Sequence, residues 1–419
     1  MLKKIISTFG IKVLIAVLNL VIVIVLSNYI GASGKGEASL VVISMAMVML
    51  FCNLLGGPTL IYLTPRYNIF LLFFLSNCWS LLTAICAFIV LYLYGELSLC
   101  MISHISLLSL INSFLATNLT ILLAKERVTC YNLISLLQTA LTLIVVFVFF
   151  KIGDKDVLAY IYALYIAMLC CLIISTGYLL PYLKKPDLKN LKENAIQFLK
   201  LGFTNQTSQI IKFLSFRVSY YMLMQYAGSA VLGVFSNGTS LIESLLLISN
   251  SFVAVLYPKI SNSMNKKYSQ LLTQQMTKMS IAFCLVALVP LVLLPSAFWV
   301  WLFGAEFNGV RLAIVLLAPG IVFYNISMVI NHYFSGLGRY RISTLAYFIG
   351  LMLVVICSLI IIPQYGIAEA AIISSLSYIA TALFYMFYFS KDAKISVRQL
   401  FPTVSDIPWF FKRIKAILF

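Results

Sequence analysis

Long apolar runs separated by short polar stretches make up almost the whole of this chain, from the first residues to about residue 390. Most of these runs reach about 20 residues, the length that a helix needs to cross a bilayer. We therefore predict an all-α polytopic membrane protein with about twelve spans. The predicted spans are 8–30, 38–63, 69–94, 99–123, 132–151, 157–183, 201–226, 229–256, 278–303, 312–335, 343–363 and 366–390.

Basic residues separate the connecting loops into two alternating sets. One set, which includes both termini, holds 22 of the 29 Lys and Arg residues, whereas the other set holds four. Positive residues accumulate in loops on the cytoplasmic side of a membrane. Both termini are therefore predicted to be cytoplasmic, in a multi-pass protein of a bacterial inner membrane, and the number of spans should be even.

The amino-acid composition also indicates a membrane protein, and it argues against nucleic-acid binding and a metal site. The chain is 62% hydrophobic and 10% charged, with a mean hydropathy of +1.04, which excludes a soluble domain of this size. The net charge of +17 does not indicate nucleic acid, because most of it lies in the loops of one side. Most of the nine cysteines lie inside apolar runs, and His104 and His332 are isolated. No metal site and no cofactor are predicted.

The longest polar stretch between spans, residues 184–200, divides the chain into two halves of about six helices. We predict an N-terminal lobe at 1–190, a C-terminal lobe at 191–390 and a basic cytoplasmic tail at 391–419. Two lobes of this kind are typical of transporters, in which the substrate passes through a central cavity between them.

Three charged residues, Lys212, Arg217 and Glu243, lie at the middle of the seventh and eighth predicted spans. Charges at that depth are costly and normally face a bundle interior or a water-filled cavity. At about 100° per residue, polar side chains share the face of Lys212 or that of Glu243. The amide members of these faces are Asn205, Gln209 and Asn250, and Asn237 lies nearby on the eighth span.

The turn between these two spans falls near residues 227–229, so the helices should be antiparallel neighbours. Lys212 and Glu243 each lie about 14 residues from it, which predicts a shared depth and a possible pair, whereas Arg217 has no acidic partner on either helix. Three interpretations remain open: a structural Lys212–Glu243 pair, a cationic cavity for a phosphate-bearing substrate, and proton or ion coupling through Glu243. Lys12 either faces the same cavity or extends to the cytoplasmic surface.

Five motifs in order along the chain resemble one family. They are YIGASGKGEA at 29–38, GSAVLGVFSN at 228–237, LFGAEF at 302–307, SGLGR at 335–339 and IPQYGIAEAA at 362–371. This pattern is similar to the polysaccharide transport branch of the multidrug/oligosaccharidyl-lipid/polysaccharide (MOP) superfamily, and within it to Wzx-like repeat-unit flippases. Ser219 stands where relatives often carry an acidic residue, which weakens ion coupling at that position.

The resemblance implies a MATE-like V-shaped transporter rather than an enzyme. Its substrate would be an undecaprenyl-pyrophosphate-linked oligosaccharide of O-antigen or capsule, moved from the cytoplasmic to the periplasmic leaflet by alternating access. A polysaccharide polymerase and a chain-length regulator are the implied protein partners, and a proton or sodium gradient is a possible energy source. The sequence suits this substrate, because Lys and Arg can replace the lost hydration of a pyrophosphate.

Two other classes compete with this interpretation. A peptidoglycan-precursor flippase or a drug exporter of the same superfamily would share the fold, although an exporter of cationic drugs would favour acidic residues in its cavity. A membrane polymerase would need a large outer loop with catalytic groups, whereas the longest predicted outer loops have about eight residues.

Overall fold

The structure is a computed structural model that describes residues 2–64, 67–94, 98–153, 155–183, 191–261, 265–361, 366–403 and 406. All regular elements within these ranges are helical, so the predicted all-α polytopic fold is confirmed. The α-helices are α1 Leu2–Cys52, α2 Gly57–Leu63, α3 Ile69–Tyr94, α4 Leu99–Ala124, α5 Val128–Ile152, α6 Val157–Leu179, α7 Leu191–Ser244, α8 Leu246–Ser261, α9 Lys266–Leu293, α10 Ser296–Phe303, α11 Val310–Gly336, α12 Tyr340–Ile361 and α13 Ile367–Ala393.

Two of these helices are turned back by a single glycine. Gly31 interrupts α1 with φ 67° and ψ −172°, and Gly228 interrupts α7 with φ 84° and ψ 172°. This backbone region is open to glycine and costly for other residues. Each of the two helices therefore consists of two arms, and the turn predicted at 227–229 is confirmed.

Nine segments of the described residues are long and apolar enough to cross a membrane. The first, Gly10–Ile61, has 52 residues and contains the turn at Gly31, so it supplies two spans. The two arms on either side of Gly228 are helical but are not among these nine segments. Counting these arms gives the twelve predicted spans.

The chain divides into two compact units, Met1–Phe213 and Leu214–Phe419. Sequence reasoning places the division near residue 190, at the polar stretch. The first arm of α7 runs past that point, and its early residues contact unit 1: Gln206 Nε2 donates to the Leu50 carbonyl at 3.1 Å. Gly202 packs so closely on Leu54 that a side chain there would overlap the Leu54 carbonyl.

The sequence Gly56–Gly57–Pro58, which favours a kink, is a complete break between two helices in unit 1. A 3-10 turn at Asn53–Leu55 separates α1 from α2, and Pro58 has no N–H to continue the helical ladder. Side chains from other helices donate to carbonyls around the break: Trp79 Nε1 to Phe51 at 2.8 Å, and Ser76 Oγ to Leu55 at 2.5 Å. Such donors allow a broken helix to lie inside a membrane protein.

The ninth predicted span, 278–303, is wrong in its position. Helix α9 begins at Lys266, where the Asn265 side chain accepts from the Tyr268 N–H at 3.1 Å, and it ends at Leu293. The remaining apolar residues form the separate short helix α10, which begins after Pro295. Hydropathy placed the span too late because the first three turns of α9 are polar.

Those polar turns of α9 bind a C-terminal segment that begins in the last turn of α13. Residues spaced by four along α9 donate to it in register: Lys266 and Gln270 to Asp392, Gln274 to the Gln399 carbonyl, and Lys278 to Asp406. Leu400 is fully buried in the core of unit 2. The start of the predicted basic tail is therefore part of unit 2, and its residues 407–419 lie outside the described ranges.

Candidate functional site

Arg217 in the first arm of α7 and Glu243 in the second arm form an ion pair inside unit 2. Arg217 Nη1 donates to Glu243 Oε1 at 2.8 Å, and Nη2 donates to Oε2 at 2.7 Å. About a fifth of each side chain is exposed, 22% for Arg217 and 20% for Glu243. A two-pronged arginine–carboxylate contact of this length is among the strong hydrogen-bonded pairs of proteins.

This pair corrects the expectation that Glu243 pairs with Lys212 and that Arg217 has no acidic partner. The Cα–Cβ bonds of a helix lean toward its N-terminus. On the arm before Gly228 the side chains therefore lean away from the turn, and on the arm after Gly228 they lean toward it. Arg217 lies 11 residues before the turn and Glu243 15 residues after it, about 17 and 23 Å at 1.5 Å per residue. Because the two side chains tilt in opposite directions relative to the turn, and because the arginine side chain is long, the two charged groups meet at the same depth.

A chain of hydroxyl groups fixes the other side of the guanidinium. Arg217 Nη1 also donates to the Tyr220 hydroxyl at 3.3 Å, and the guanidinium carbon lies 5.0 Å from the centre of the Tyr220 ring. The Tyr220 hydroxyl bonds to Thr239, whose own hydroxyl donates to the Phe235 carbonyl at 2.8 Å. Tyr220 and Thr239 are both buried, so the hydroxyl chain is sheltered from water.

An aromatic cluster follows directly beside the pair in the same unit. Phe216 stacks on Tyr378 of α13 with ring centres 4.4 Å apart, and it meets Tyr324 of α11 edge to face at 4.6 Å. Tyr324 and Tyr378 are almost completely buried. These rings hold the arm that carries Arg217 against α11 and α13, and they restrict the directions that the arginine can take.

The other predicted site residues fall in different surroundings. In unit 1, Lys12 and Gln209 are exposed and Lys212 is half-buried, whereas the side chain of Asn205 lies outside what the structure describes. In unit 2, Asn237 is fully buried and Asn250 is exposed. Among the predicted residues of unit 2, hydrogen bonds join Arg217 to Glu243.

Sequence reasoning missed Tyr220 and Thr239. Their spacing contained the signal: Tyr220 lies three residues after Arg217, and Thr239 lies four residues before Glu243. Residues separated by three or four positions share one face of a helix. Hydroxyl residues at those spacings from a buried charge are therefore candidates for its hydrogen-bond partners.

Comparison with known proteins identifies the family of this chain. Residues 1–264 match the family described as "Polysaccharide biosynthesis protein", a stretch that includes both arms of α7. The chain belongs to this family. A capsular polysaccharide biosynthesis protein of Staphylococcus aureus, CapF, is 22% identical over 318 residues, which is 74% of this chain and 79% of CapF.

A second relative is an uncharacterized membrane protein of Methanocaldococcus jannaschii, MJ1068, which is 27% identical over 250 residues. That alignment spans 54% of this chain and about half of the relative, 46% of its length. One of these two relatives is named as a membrane protein and the other for capsular polysaccharide biosynthesis.

Solved structures show the fold of this family member. The lipid II flippase MurJ in an inward closed conformation is 14% identical with a TM-score of 0.73, over 94% of this chain and 89% of MurJ. An inward-facing multidrug resistance MATE transporter of the MOP superfamily is 16% identical with a TM-score of 0.67, over 89% of this chain and 96% of that one. The fold is that of MOP-superfamily transporters, as the sequence motifs predicted.

Proposed function

We propose that this protein flips undecaprenyl-pyrophosphate-linked oligosaccharide repeat units of O-antigen or capsule. The units move from the cytoplasmic to the periplasmic leaflet of the inner membrane by alternating access. The observation that carries the proposal is the partly exposed Arg217. It lies in a chain that has the fold of MOP-superfamily transporters and belongs to a polysaccharide biosynthesis family. A pyrophosphate that leaves water needs hydrogen-bond donors and positive charge to replace its lost hydration.

The other predicted residues complete the proposed path. Lys12 and Lys212 would add positive charge, and the amides of Asn205, Gln209, Asn237 and Asn250 would hydrogen-bond sugar hydroxyls. Both termini would lie in the cytoplasm, where the basic loops concentrate. A polymerase and a chain-length regulator would take up the product on the periplasmic side.

The test is flipping by purified protein in proteoliposomes. Lipid-pyrophosphate oligosaccharide with a labelled sugar is incorporated, and the rate at which the label becomes accessible across the bilayer is measured with and without an ion gradient. We expect protein-dependent movement that Arg217→Gln slows at least about tenfold, equivalent to about 1.4 kcal/mol in the activation free energy. Arg311→Gln, an exposed arginine of the same unit, is the matched control.

One other function has a specific observation in its favour. The likeness to MurJ, a lipid II flippase, favours a peptidoglycan precursor, which also carries a pyrophosphate on a lipid. The same vesicles with lipid II in place of the oligosaccharide lipid separate the two. Faster movement of lipid II would replace our proposal, and movement of neither lipid would point to a small-molecule exporter.

A further inference from the structure

The Arg217 guanidinium has donors left over after its contacts with the protein. A guanidinium carries five N–H groups in one plane. Two from Nη1 reach Glu243 and Tyr220, and one from Nη2 reaches Glu243. The Nε–H and the second Nη2–H, which lie together on one edge of the plane, have no acceptor among the residues that the structure describes. We call these two N–H groups the open edge.

We propose that the open edge binds a phosphate of the substrate while Glu243 keeps its place on the adjoining edge. This inference rests on the proposed function and adds the role of Glu243, which is a positioning residue and not an ion-coupling group. One arginine then joins a fixed carboxylate of the protein to the travelling pyrophosphate. Two parallel N–H groups match two oxygens of one phosphate, as they match a carboxylate.

The contacts around Arg217 favour addition at the open edge over replacement of Glu243. Displacing Glu243 would break two short hydrogen bonds, of 2.7 and 2.8 Å, and would leave a largely buried carboxylate without its cation. Removing one member of such a pair is costly. Binding at the open edge breaks neither bond, and about a fifth of the Arg217 side chain is exposed.

Tyr220 and Thr239 contribute to this arrangement by fixing the plane of the guanidinium. The Tyr220 hydroxyl occupies the outer N–H of Nη1, and its ring lies beside the guanidinium carbon. With Glu243 on one edge and Tyr220 on the next, rotation about the last side-chain bonds is restricted. The open edge is thus held in one orientation before any ligand arrives, which lowers the entropy cost of binding.

A lysine at this position would keep the charge but lose the geometry. Its ammonium has three rotating donors on a single atom, so it cannot present separate planar edges to two anions. A cavity that needs only positive charge would accept Arg217→Lys, whereas a bridging guanidinium would not. This substitution therefore separates our inference from the general cationic site.

The experiment measures inorganic pyrophosphate binding to the purified full-length protein in nanodiscs by calorimetry. We expect Arg217→Lys to raise the Kd at least about tenfold, equivalent to about 1.4 kcal/mol, and Arg217→Gln to abolish binding. Arg311→Lys, the same change at an exposed position of the same unit, should bind as the wild type does. Wild-type affinity in Arg217→Lys would overturn the inference.

Infrared difference spectra of the wild type decide the place of Glu243. Spectra of carboxylate-labelled protein are recorded with and without pyrophosphate, and Glu243→Gln identifies the band. We expect the Glu243 band to stay that of an arginine-paired carboxylate when pyrophosphate binds. A shift to an unpaired or protonated carboxyl would show displacement and overturn the inference.

The two proposals fail in different ways. A wild type that flips the lipid-linked oligosaccharide but binds no pyrophosphate would overturn the bridging role and leave the proposed function standing. A wild type that binds pyrophosphate through Arg217 but flips no oligosaccharide lipid would support the bridge and refute the oligosaccharide substrate.

Discussion

Asp392 and Glu243 in unit 2 both have basic partners, and they differ in how fully their hydrogen-bonding groups are used. Asp392, at the end of α13, accepts from every side. Its donors come from α9, from α11 and from the turn before α12: Lys266 at 2.8 Å, Arg339 at 3.0 Å, Tyr333 at 2.6 Å and Gln270 at 3.3 Å. Glu243 has one two-pronged partner, Arg217, and that partner keeps an open edge.

The difference separates a structural junction from a candidate binding site. A carboxylate whose oxygens are all occupied by donors from several helices has no capacity left for a ligand, and its loss loosens those helices together. An arginine held on two sides with donors to spare is ordered and still able to bind an anion. We therefore expect substitution of Asp392 to reduce stability, and substitution of the Arg217–Glu243 pair to reduce anion binding.

Among variants that leave the Arg217–Glu243 pair intact, the largest effect on stability is expected for Asp392→Ala. The buried Tyr333 hydroxyl loses its acceptor, whereas Lys266 and Arg339 are about half exposed and regain water. We expect a loss of about 2 kcal/mol in the free energy of unfolding, because buried donors without partners are costly. Thermal unfolding in detergent measures it, and flipping per folded molecule should be unchanged.

Lys266→Ala is the control for that variant. It removes one half-exposed donor from the same junction, and exposed ion pairs contribute about 0.5 kcal/mol. Equal melting temperatures for Lys266→Ala and Asp392→Ala would contradict a multi-helix junction at Asp392.

The second effect is expected for the neutral double variant Arg217→Gln with Glu243→Gln. Replacing both partners of a largely buried pair leaves no isolated charge, so the free energy of unfolding should change by less than about 1 kcal/mol. Flipping and pyrophosphate binding should nevertheless be lost. Thermal unfolding and the vesicle assay on the same preparation measure both quantities.

A double variant as unstable as Asp392→Ala would contradict the distinction between a structural junction at Asp392 and a binding site at Arg217. Arg217 and Glu243 would then also be a structural junction, and loss of transport would follow from loss of structure. The single variants Arg217→Gln and Glu243→Gln should each be less stable than the double variant, because each leaves one charge without its partner.

The smallest effect is expected at Asp406, outside the membrane-spanning segments, where the C-terminal segment meets α9. Burial opposes ionisation there, but hydrogen bonds from Lys278 and Thr403 outweigh it and lower the pKa of Asp406. A lowered folded-state pKa stabilises the protein above the unfolded value of about 3.9. That contribution is lost as the pH falls through the lowered pKa.

Asp406→Asn removes this contribution at every pH. The difference in melting temperature between the wild type and Asp406→Asn should be constant near neutral pH and should shrink to zero in strong acid. A difference that persists after Asp406 is protonated would show that the amide is unfavourable for another reason. Lys278→Gln should reproduce the same pH dependence.

Much of the architecture followed from hydropathy and loop charge. Twelve spans, the break at Gly56–Gly57–Pro58 and the turn at Gly228 are all properties of short windows of sequence, and the structure agrees with them. The exception is α9, whose polar first turns hid a helix. The side chains of those turns bind the end of α13 and the segment after it, which are contacts between residues more than 120 positions apart.

The candidate site was predictable in its members and not in its pairing. Mid-span charge alone marks Arg217 and Glu243 as residues that must face an interior, because hydrocarbon does not tolerate them. Equal distance from the turn suggested Lys212 as the partner of Glu243. Helix geometry decides otherwise, since side chains on antiparallel arms lean in opposite directions along the axis.

The sequence by itself therefore determined the class, the spans, the sides of the membrane on which the loops are predicted to lie, and the family. These depend on the free energy of transferring short segments into a bilayer, which is a sum over neighbouring residues. Only the tertiary structure decided that Arg217 pairs with Glu243 and leaves an edge open, and that Asp392 joins four elements. Those outcomes depend on the direction and reach of individual side chains once distant helices have packed.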